Sequence, residues 1–158
     1  MNTTILLSSL LIVHLAALVV MAGTTLIDYF GYQTFWKLYD REREKSSGVL
    51  LFLNKFSRLI GIGAALLVLS GIGMMALTHG VFGEQLWFRI KFGFVLVLIA
   101  NGILVGRRQG LKLRKAIDLN EAGLPQLMDR IRGNLKRFHI AQLFIFFIII
   151  LLSIFKFN

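Results

Sequence analysis

Apolar residues are concentrated in four long runs along the chain, at residues 4–27, 56–77, 85–105 and 138–155. The hydrocarbon core of a bilayer is about 30 Å thick, which a helix of about 20 mostly apolar residues can span. Each of the four runs has that length, and polar stretches separate them. The pattern therefore predicts an all-α integral membrane protein, a single domain of residues 1–158 that forms a four-helix bundle.

The composition fits this class, because 56% of the residues are hydrophobic and only one is proline. No Lys or Arg precedes the first apolar run, so we expect a retained membrane helix rather than a removable signal peptide. The chain has no cysteine, which excludes disulfides, thiolate metal ligands and cysteine nucleophiles.

The net charge of +10 lies mostly in residues 28–58 and 107–137, whereas residues 78–84 contain no Lys or Arg. The positive-inside rule therefore predicts that both basic segments are cytoplasmic, with both termini outside, in a multi-pass protein of the inner (plasma) membrane. Anionic lipid headgroups are the expected partner of these charges, rather than nucleic acid. The basic residues are Lys37, Arg41, Arg43, Lys45, Lys55 and Arg58, and then Arg107, Arg108, Lys112, Arg114, Lys115, Arg130, Arg132, Lys136 and Arg137.

The connections between the runs contain several local signals. Residues 28–39 are rich in aromatic side chains, which predicts either a continuation of the first helix or an interfacial turn. Breaks are expected at Ser46-Ser-Gly48, before the second membrane helix, and at Gly123-Leu-Pro125. A short amphipathic helix at the headgroups is predicted by three apolar residues at helical spacing, Leu127, Ile131 and Leu135.

The second run carries small residues that fall close to one helix face. They are Ser57, Gly61, Ala65 and Gly73, with Gly63 and Gly71 widening the strip. Small residues let a neighbouring helix approach closely, and in lipid such contact is a main source of helix association. The strip therefore predicts helix packing, and it is also compatible with room for a flat cofactor.

Ionisable side chains deep in the hydrocarbon are costly, so they are functional candidates by default. His14 lies about 16 Å along the first helix, near the expected midplane, and Lys91 lies about 10 Å along the third helix. In an up-down bundle these two helices are diagonal neighbours, so both side chains can face one central site. Arg89 lies about 200° round the third helix from Lys91 and is expected to extend outward.

The other histidines lie at helix ends. His79 is expected at the outer interface and His139 at the inner interface, so a zinc site that joins the three histidines is excluded by distance. A midplane histidine such as His14 can serve as an axial haem ligand or as a proton relay. Asn101, Thr24 and Thr25 could bind a haem propionate or form hydrogen bonds between helices.

Several short motifs resemble a known family. They are His14 followed by Met21-Ala-Gly23, Trp87 followed four residues later by Lys91, and the closing sequence IILLSIFKF at 149–157. In this order they resemble the HemJ-type protoporphyrinogen oxidases of bacterial haem synthesis and the related CopD-like membrane domains. The resemblance implies a b-type haem associated with His14 and Lys91. The HemJ pattern usually has tryptophan where Met21 stands, and it has a Tyr-Leu-Pro-Arg stretch where residues 24–29 lie here.

The sequence thus supports two hypotheses of different classes. The first is a haem b-binding redox protein related to protoporphyrinogen oxidation, with His14 as metal ligand. Its catalytic residues would be His14 and Lys91. Its cofactor-binding residues would be His14, Lys91, Asn101, Gly61 and Gly71. The second is a non-catalytic membrane subunit or scaffold, in a homo-oligomer or a larger complex, that packs against other membrane proteins. Solute transport is less favoured, because neither an inverted repeat nor a broken helix pair is evident.

Overall fold

The computed structural model describes residues 2–119 and 124–155, and nearly all of these residues are helical. The helices are α1 (Thr3–Arg41), α2 (Arg43–Leu77), α3 (Leu86–Asn101), α4 (Arg108–Leu119) and α5 (Leu124–Ile154). A single 3-10 turn, Val81–Glu84, precedes α3, and a π-helical turn, Gly102–Arg107, joins α3 to α4 without interrupting the rod.

Within the described part of the chain, four helical stretches are long and apolar enough to cross a membrane. They are Thr3–Arg41, Glu44–Leu77, Leu86–Ile117 and Pro125–Ile154. The all-α class and four helices long and apolar enough to span a membrane, both predicted from the apolar runs, are therefore confirmed. A backbone surrounded by lipid must satisfy its own hydrogen bonds, and continuous helices achieve this.

Every long helix continues past its apolar run at the same end of the bundle. We call this end, formed by residues 28–58, 107–119 and 124–137, the basic end. Residues 28–39 were expected to continue the first helix or to form an interfacial turn, and the structure shows the continued helix. α1 runs fourteen residues beyond position 27, or about 21 Å, to Arg41. Charged and aromatic side chains are compatible with a helix, so a change in polarity does not by itself end one.

The break expected at Ser46–Gly48 is wrong. The chain leaves helical geometry at Glu42, with φ of −142° and ψ of 79°, and Gly48 lies inside α2. A glycine within a helix costs only about 1 kcal/mol relative to alanine. Burial of Ser46 and Leu50 against neighbouring helices offsets this cost.

The amphipathic helix expected around residues 127–135 is not a separate element. It forms the first part of α5, which continues into the last membrane segment. Ile131 and Leu135 are buried, whereas Leu127 is 44% exposed. Gly123, where the preceding break was expected, lies outside the described residues. Pro125 lies in the first turn of α5, where its missing N–H is not needed for a helical hydrogen bond.

Two hydrophobic cores are stacked along the bundle. The membrane core contains Ala17, Met21, Leu67, Leu98, Ile145, Phe146 and Ile149. The basic-end core contains Phe35, Trp36, Leu50, Leu53, Leu113, Ala116, Met128, Ile131 and Leu135. The helix extensions thus have an apolar interior of their own, which explains why they stay helical beyond the membrane segment.

The four long helical stretches do not all pack against one another. α1 packs along α2, α3 packs against α5, and α1 also packs against α5. Across the described residues, α2 and α3 show no comparable contact, apart from the short turn that connects them. The order around the bundle is therefore α2, α1, α5, α3, with an open seam between α2 and α3.

Glycines allow the close approach of α1 and α2. A Cβ added at Gly63 would lie 3.2 Å from the Cβ of Met21, and one added at Gly73 would lie 3.0 Å from the side chain of Leu10. Gly61, by contrast, has no neighbouring atom within 4 Å of such a Cβ. The strip of small residues predicted on α2 therefore divides into a face against α1 and an open face at the seam.

We expect Gly63→Val to destabilise the bundle and Gly61→Val to leave it almost unchanged. The valine at 63 would press on the Cβ of Met21, which the backbone holds in place, and overpacking of this kind costs roughly 1–3 kcal/mol. Unfolding of the two purified variants in one detergent would measure the difference. Equal stability of the two variants would contradict the packing described here.

Candidate functional site

His14 lies on α1 and faces α2 inside the apolar part of the bundle. Its Nδ1 atom is 2.9 Å from Oγ of Ser70, which is buried on α2. The Ser70 hydroxyl is also 2.6 Å from the carbonyl oxygen of Leu66. A carbonyl oxygen can only accept, so the serine proton lies in that bond and His14 donates its Nδ1–H to Ser70. The lone pair of a neutral His14 is therefore on Nε2.

The His14 ring lies over the backbone of α2. A Cβ added at Gly71 would be 3.5 Å from Cε1 of the ring, an ordinary van der Waals separation. The imidazole therefore packs directly against the backbone at Gly71. Ser70 and Gly71 are consecutive residues, so one turn of α2 both accepts the hydrogen bond from the ring and packs against it.

Lys91 reaches the same region from α3. Its ammonium is close enough for its charge to act on the His14 ring. Arg89, two residues earlier, is exposed and donates from Nε to the carbonyl oxygen of Gly83, 2.9 Å away. The structure thus places the His14 ring against Gly71, with the charge of Lys91 acting on the ring, and it directs Arg89 away towards the α2–α3 turn.

Asn101 and Gly61 lie elsewhere. Asn101 donates from Nδ2 to Oε1 of Gln142 on α5, 2.8 Å away. Gly61 precedes Gly71 by ten residues, which is about 15 Å along α2. The five predicted site residues therefore fall into two groups, one at His14 and one nearer the basic end.

Thr24 and Thr25, which were considered as propionate partners, are directed at their own helix. Thr24 donates to the carbonyl oxygen of Val20, and Thr25 donates to that of Met21, 2.8 Å away. Both residues are buried. Such bonds satisfy a hydroxyl inside a membrane helix without a partner from another helix.

A cavity of about 1080 Å³ lies at the open seam, between the two cores, and we call it the seam cavity. α2 and the rod formed by α3, the π-helical turn and α4 provide its side walls, and α1 and α5 provide its floor. Gly61, Ile103 and Arg107 on its walls are exposed, so the cavity is open between α2 and α3. Four cationic side chains line it, namely Lys55, Arg58, Arg107 and Arg114.

The floor of the seam cavity contains a hydrogen-bonded pair, Asp28 and His139, that the sequence did not predict. His139 is only 1% exposed, and its Nε2 is 3.1 Å from Oδ2 of Asp28. Its Nδ1 donates to the carbonyl oxygen of Leu135, 2.7 Å away. Both ring nitrogens are therefore occupied, so this histidine has no lone pair for a metal. The sequence placed His139 at the membrane boundary but not inside the bundle.

A signal for this pair was present. Asp28 directly follows the first apolar run, and His139 lies at the start of the last one. Both positions thus have the same depth on helices that run in opposite directions. Matching the depths of polar residues across helices would have suggested the contact.

Metal binding by protein ligands alone is not supported by the geometry. Within residues 2–119 and 124–155, no three side chains of His, Cys, Asp or Glu come close enough to hold one ion.

We expect the Asp28–His139 pair to couple the stability of α1 and α5. Asp28→Ala would leave the buried Nε2 of His139 without a hydrogen-bond partner, which lowers the free energy of unfolding by about 1–3 kcal/mol. In a double-mutant cycle with His139→Phe, we expect a coupling energy of about 0.5–3 kcal/mol. Denaturant titration in detergent would measure all four proteins of the cycle.

The matched control is the exposed pair formed by Asp40 and Arg132, with an N–O distance of 3.2 Å. Asp40→Ala should change stability by less than about 1 kcal/mol, since solvent screens such a pair. Additive effects of Asp28→Ala and His139→Phe would show that the buried contact does not stabilise the fold.

Comparisons of this chain with protein-family models, with curated proteins and with solved structures each gave no match. The resemblance to the HemJ-type family therefore stays a prediction that depends on short motifs. The contacts of His14 with Ser70 and Gly71 are the observations on which a function can be proposed.

Proposed function

We propose that the protein binds a b-type haem through Nε2 of His14 and acts as a membrane-embedded redox protein. The observation that carries the proposal is the hydrogen bond from Nδ1 of His14 to Ser70. Histidines that bind a metal usually donate their other ring N–H to a fixed acceptor, which sets the tautomer and the ring orientation. Ser70 is such an acceptor, because its own proton is held by Leu66.

The surrounding residues support the same assignment. Gly71 lets the His14 ring pack closely against α2, and Lys91 contributes a positive charge that acts on the ring. Lys91 would act either as the second axial ligand or as the partner of a propionate. When bound, the haem would supply one-electron chemistry, and the protein would hold the iron and exclude water. The specific activity that the motif resemblance favours is one related to protoporphyrinogen oxidation.

We expect a Soret band in the protein purified in mild detergent from haem-replete cells, and we expect His14→Ala to lose it. Ser70→Ala should keep the ligand but weaken binding by roughly 10–100-fold, because the ring loses its fixed acceptor. Titration of the haem-free protein with haemin, followed by absorbance, would give both results.

Two controls match these variants. His79→Ala removes an exposed histidine in the turn after α2, and Ser153→Ala removes a hydroxyl that bonds only its own helix, at Ile149. Neither should change haemin binding. A colourless preparation that also fails to bind added haemin would contradict the proposal, as would a Soret band unchanged in His14→Ala.

The alternative proposal is a non-catalytic membrane subunit. Its support is the open face of α2 at the seam, where Gly61 and Ala65 are exposed and could receive a helix of another protein. Co-purification of a defined larger complex, together with full function in His14→Ala, would favour this second class over haem binding.

We also propose that the basic end faces the cytoplasm of a cell whose inner membrane holds the protein, with anionic headgroups beside it. The charge asymmetry between the basic end and the loop at 78–84 supports this orientation. Because the chain lacks cysteine, a single introduced cysteine reports on which side of the membrane that one position lies. An impermeant maleimide applied to intact spheroplasts should label Val81→Cys and spare Lys112→Cys. The reverse pattern would invert the topology.

A further inference from the structure

The seam cavity has a cationic end and an apolar end. Lys55 and Arg58 project from α2, while Arg107 and Arg114 come from the opposite wall. Arg114 donates to the neutral side chain of Asn54, so that contact leaves its positive charge unbalanced. Among the described wall and floor residues, Asp28 is the one carboxylate, and His139 holds it.

Apart from Asn54, the remaining side-wall residues of the cavity are apolar or glycine. Ile60 and Ala64 on α2 face Leu98, Ile99 and Ile103 on the opposite rod. A small soluble anion would contact the cations and leave this apolar surface uncovered. An occupant that matches both ends therefore carries a negative group attached to an aliphatic chain.

The depth of the cations also agrees with such an occupant. Arg58 lies at the start of the second apolar run and Arg107 lies just after the third, on opposite sides of the seam. At this level the hydrocarbon ends and lipid phosphates begin. Basic recesses between membrane helices at this level bind anionic lipid headgroups in other proteins. The volume of about 1080 Å³ exceeds the usual range of small-molecule sites, which reaches about 1000 Å³.

We infer that the seam cavity binds one anionic phospholipid, with its phosphate between Arg58 and Arg107 and an acyl chain between α2 and α3. Lys55 and Arg114 provide the remaining positive charge around the headgroup. The lipid closes the side of the bundle where protein contacts are missing. This site is separate from the His14 region and does not depend on haem binding.

The test uses the full-length protein reconstituted in vesicles of equal parts phosphatidylglycerol and phosphatidylcholine, then extracted into mild detergent. Native mass spectrometry counts the lipid retained per chain. We expect one phosphatidylglycerol on the wild type and little phosphatidylcholine. Arg58→Gln with Arg107→Gln should lower the retained fraction roughly tenfold or more, since each cation near an anionic lipid contributes to binding.

A matched double variant distinguishes lipid binding at the seam cavity from general electrostatic attraction to the basic end. Arg108→Gln with Lys112→Gln removes the same charge from exposed positions at the same end, outside the cavity walls. This variant should retain the lipid as the wild type does. Equal loss in both double variants would overturn the proposal and leave only unspecific attraction to an anionic surface.

A second pair tests the apolar part of the cavity without changing charge. Gly61→Phe would fill the space between α2 and α3, and Gly61 has no atom near enough to clash with a new Cβ. Gly93→Phe is the control, because Gly93 is equally open but does not line the cavity. We expect lipid loss only in Gly61→Phe.

Other occupants give distinct results, and each of them would overturn the proposal. Complete displacement of the lipid by millimolar glycerol phosphate would indicate a site for soluble anions. Cross-linking of Gly61→Cys to another polypeptide, without retained lipid, would indicate a partner helix or a second copy. A Soret band lost in Gly61→Phe but kept in His14→Ala would place haem in the seam. Lipid retention that is unchanged in His14→Ala is the result expected here, whatever the outcome for haem.

Discussion

The close contact between α1 and α2 determines the shape of this bundle. Helices in lipid gain little from hydrophobic burial against each other, so the pair with the closest packing is favoured. Gly63 and Gly73 allow α2 to approach α1, and the membrane core forms beside this contact. Because α2 is held by α1, and α3 by α5, the fourth side of the bundle stays open.

Both functional regions follow from that arrangement. The bond from His14 to Ser70 crosses the α1–α2 contact, so the orientation of the imidazole depends on the same packing as the fold. The seam cavity exists because α2 does not close against α3. A substitution at the α1–α2 contact would therefore affect the histidine directly, and it would change the seam by moving α2.

Buried polar contacts specify which helices pair and in which register, which apolar packing alone cannot do in lipid. Asp28 and His139 join α1 to α5, and Asn101 and Gln142 join α3 to α5. An unpaired polar group in hydrocarbon is costly, so these contacts select one register among the many that similar apolar surfaces would allow. α5 takes part in both pairs, which fixes its position between α1 and α3.

The sequence predicted those features that depend on one helix alone. The four membrane segments, and the depths of His14 and Lys91, follow from the apolar runs and the rise of a helix. What escaped prediction depends on contacts between helices. Gly48 looked like a break because its buried neighbours are invisible in the sequence, and the helical apolar spacing around Ile131 did not show that this segment continues into the last membrane helix. The open seam depends on which pairs of helices pack most closely.

The π-helical turn lies in the wall of the seam cavity that packs against α5. Hydrogen bonds of the π type are less favourable than α-helical ones, and such turns are frequent at functional sites. Here the turn carries Gly102, Ile103, Gly106 and Arg107 along one wall of the seam cavity. A Cβ added at Gly106 would overlap the ring of Phe138, so this wall lies directly against α5. The rod thus stays close to α5 while it presents Arg107 to the seam, at the depth where the apolar run ends. A less stable turn at this position is expected if the wall must both pack against α5 and hold a cation beside an anionic ligand.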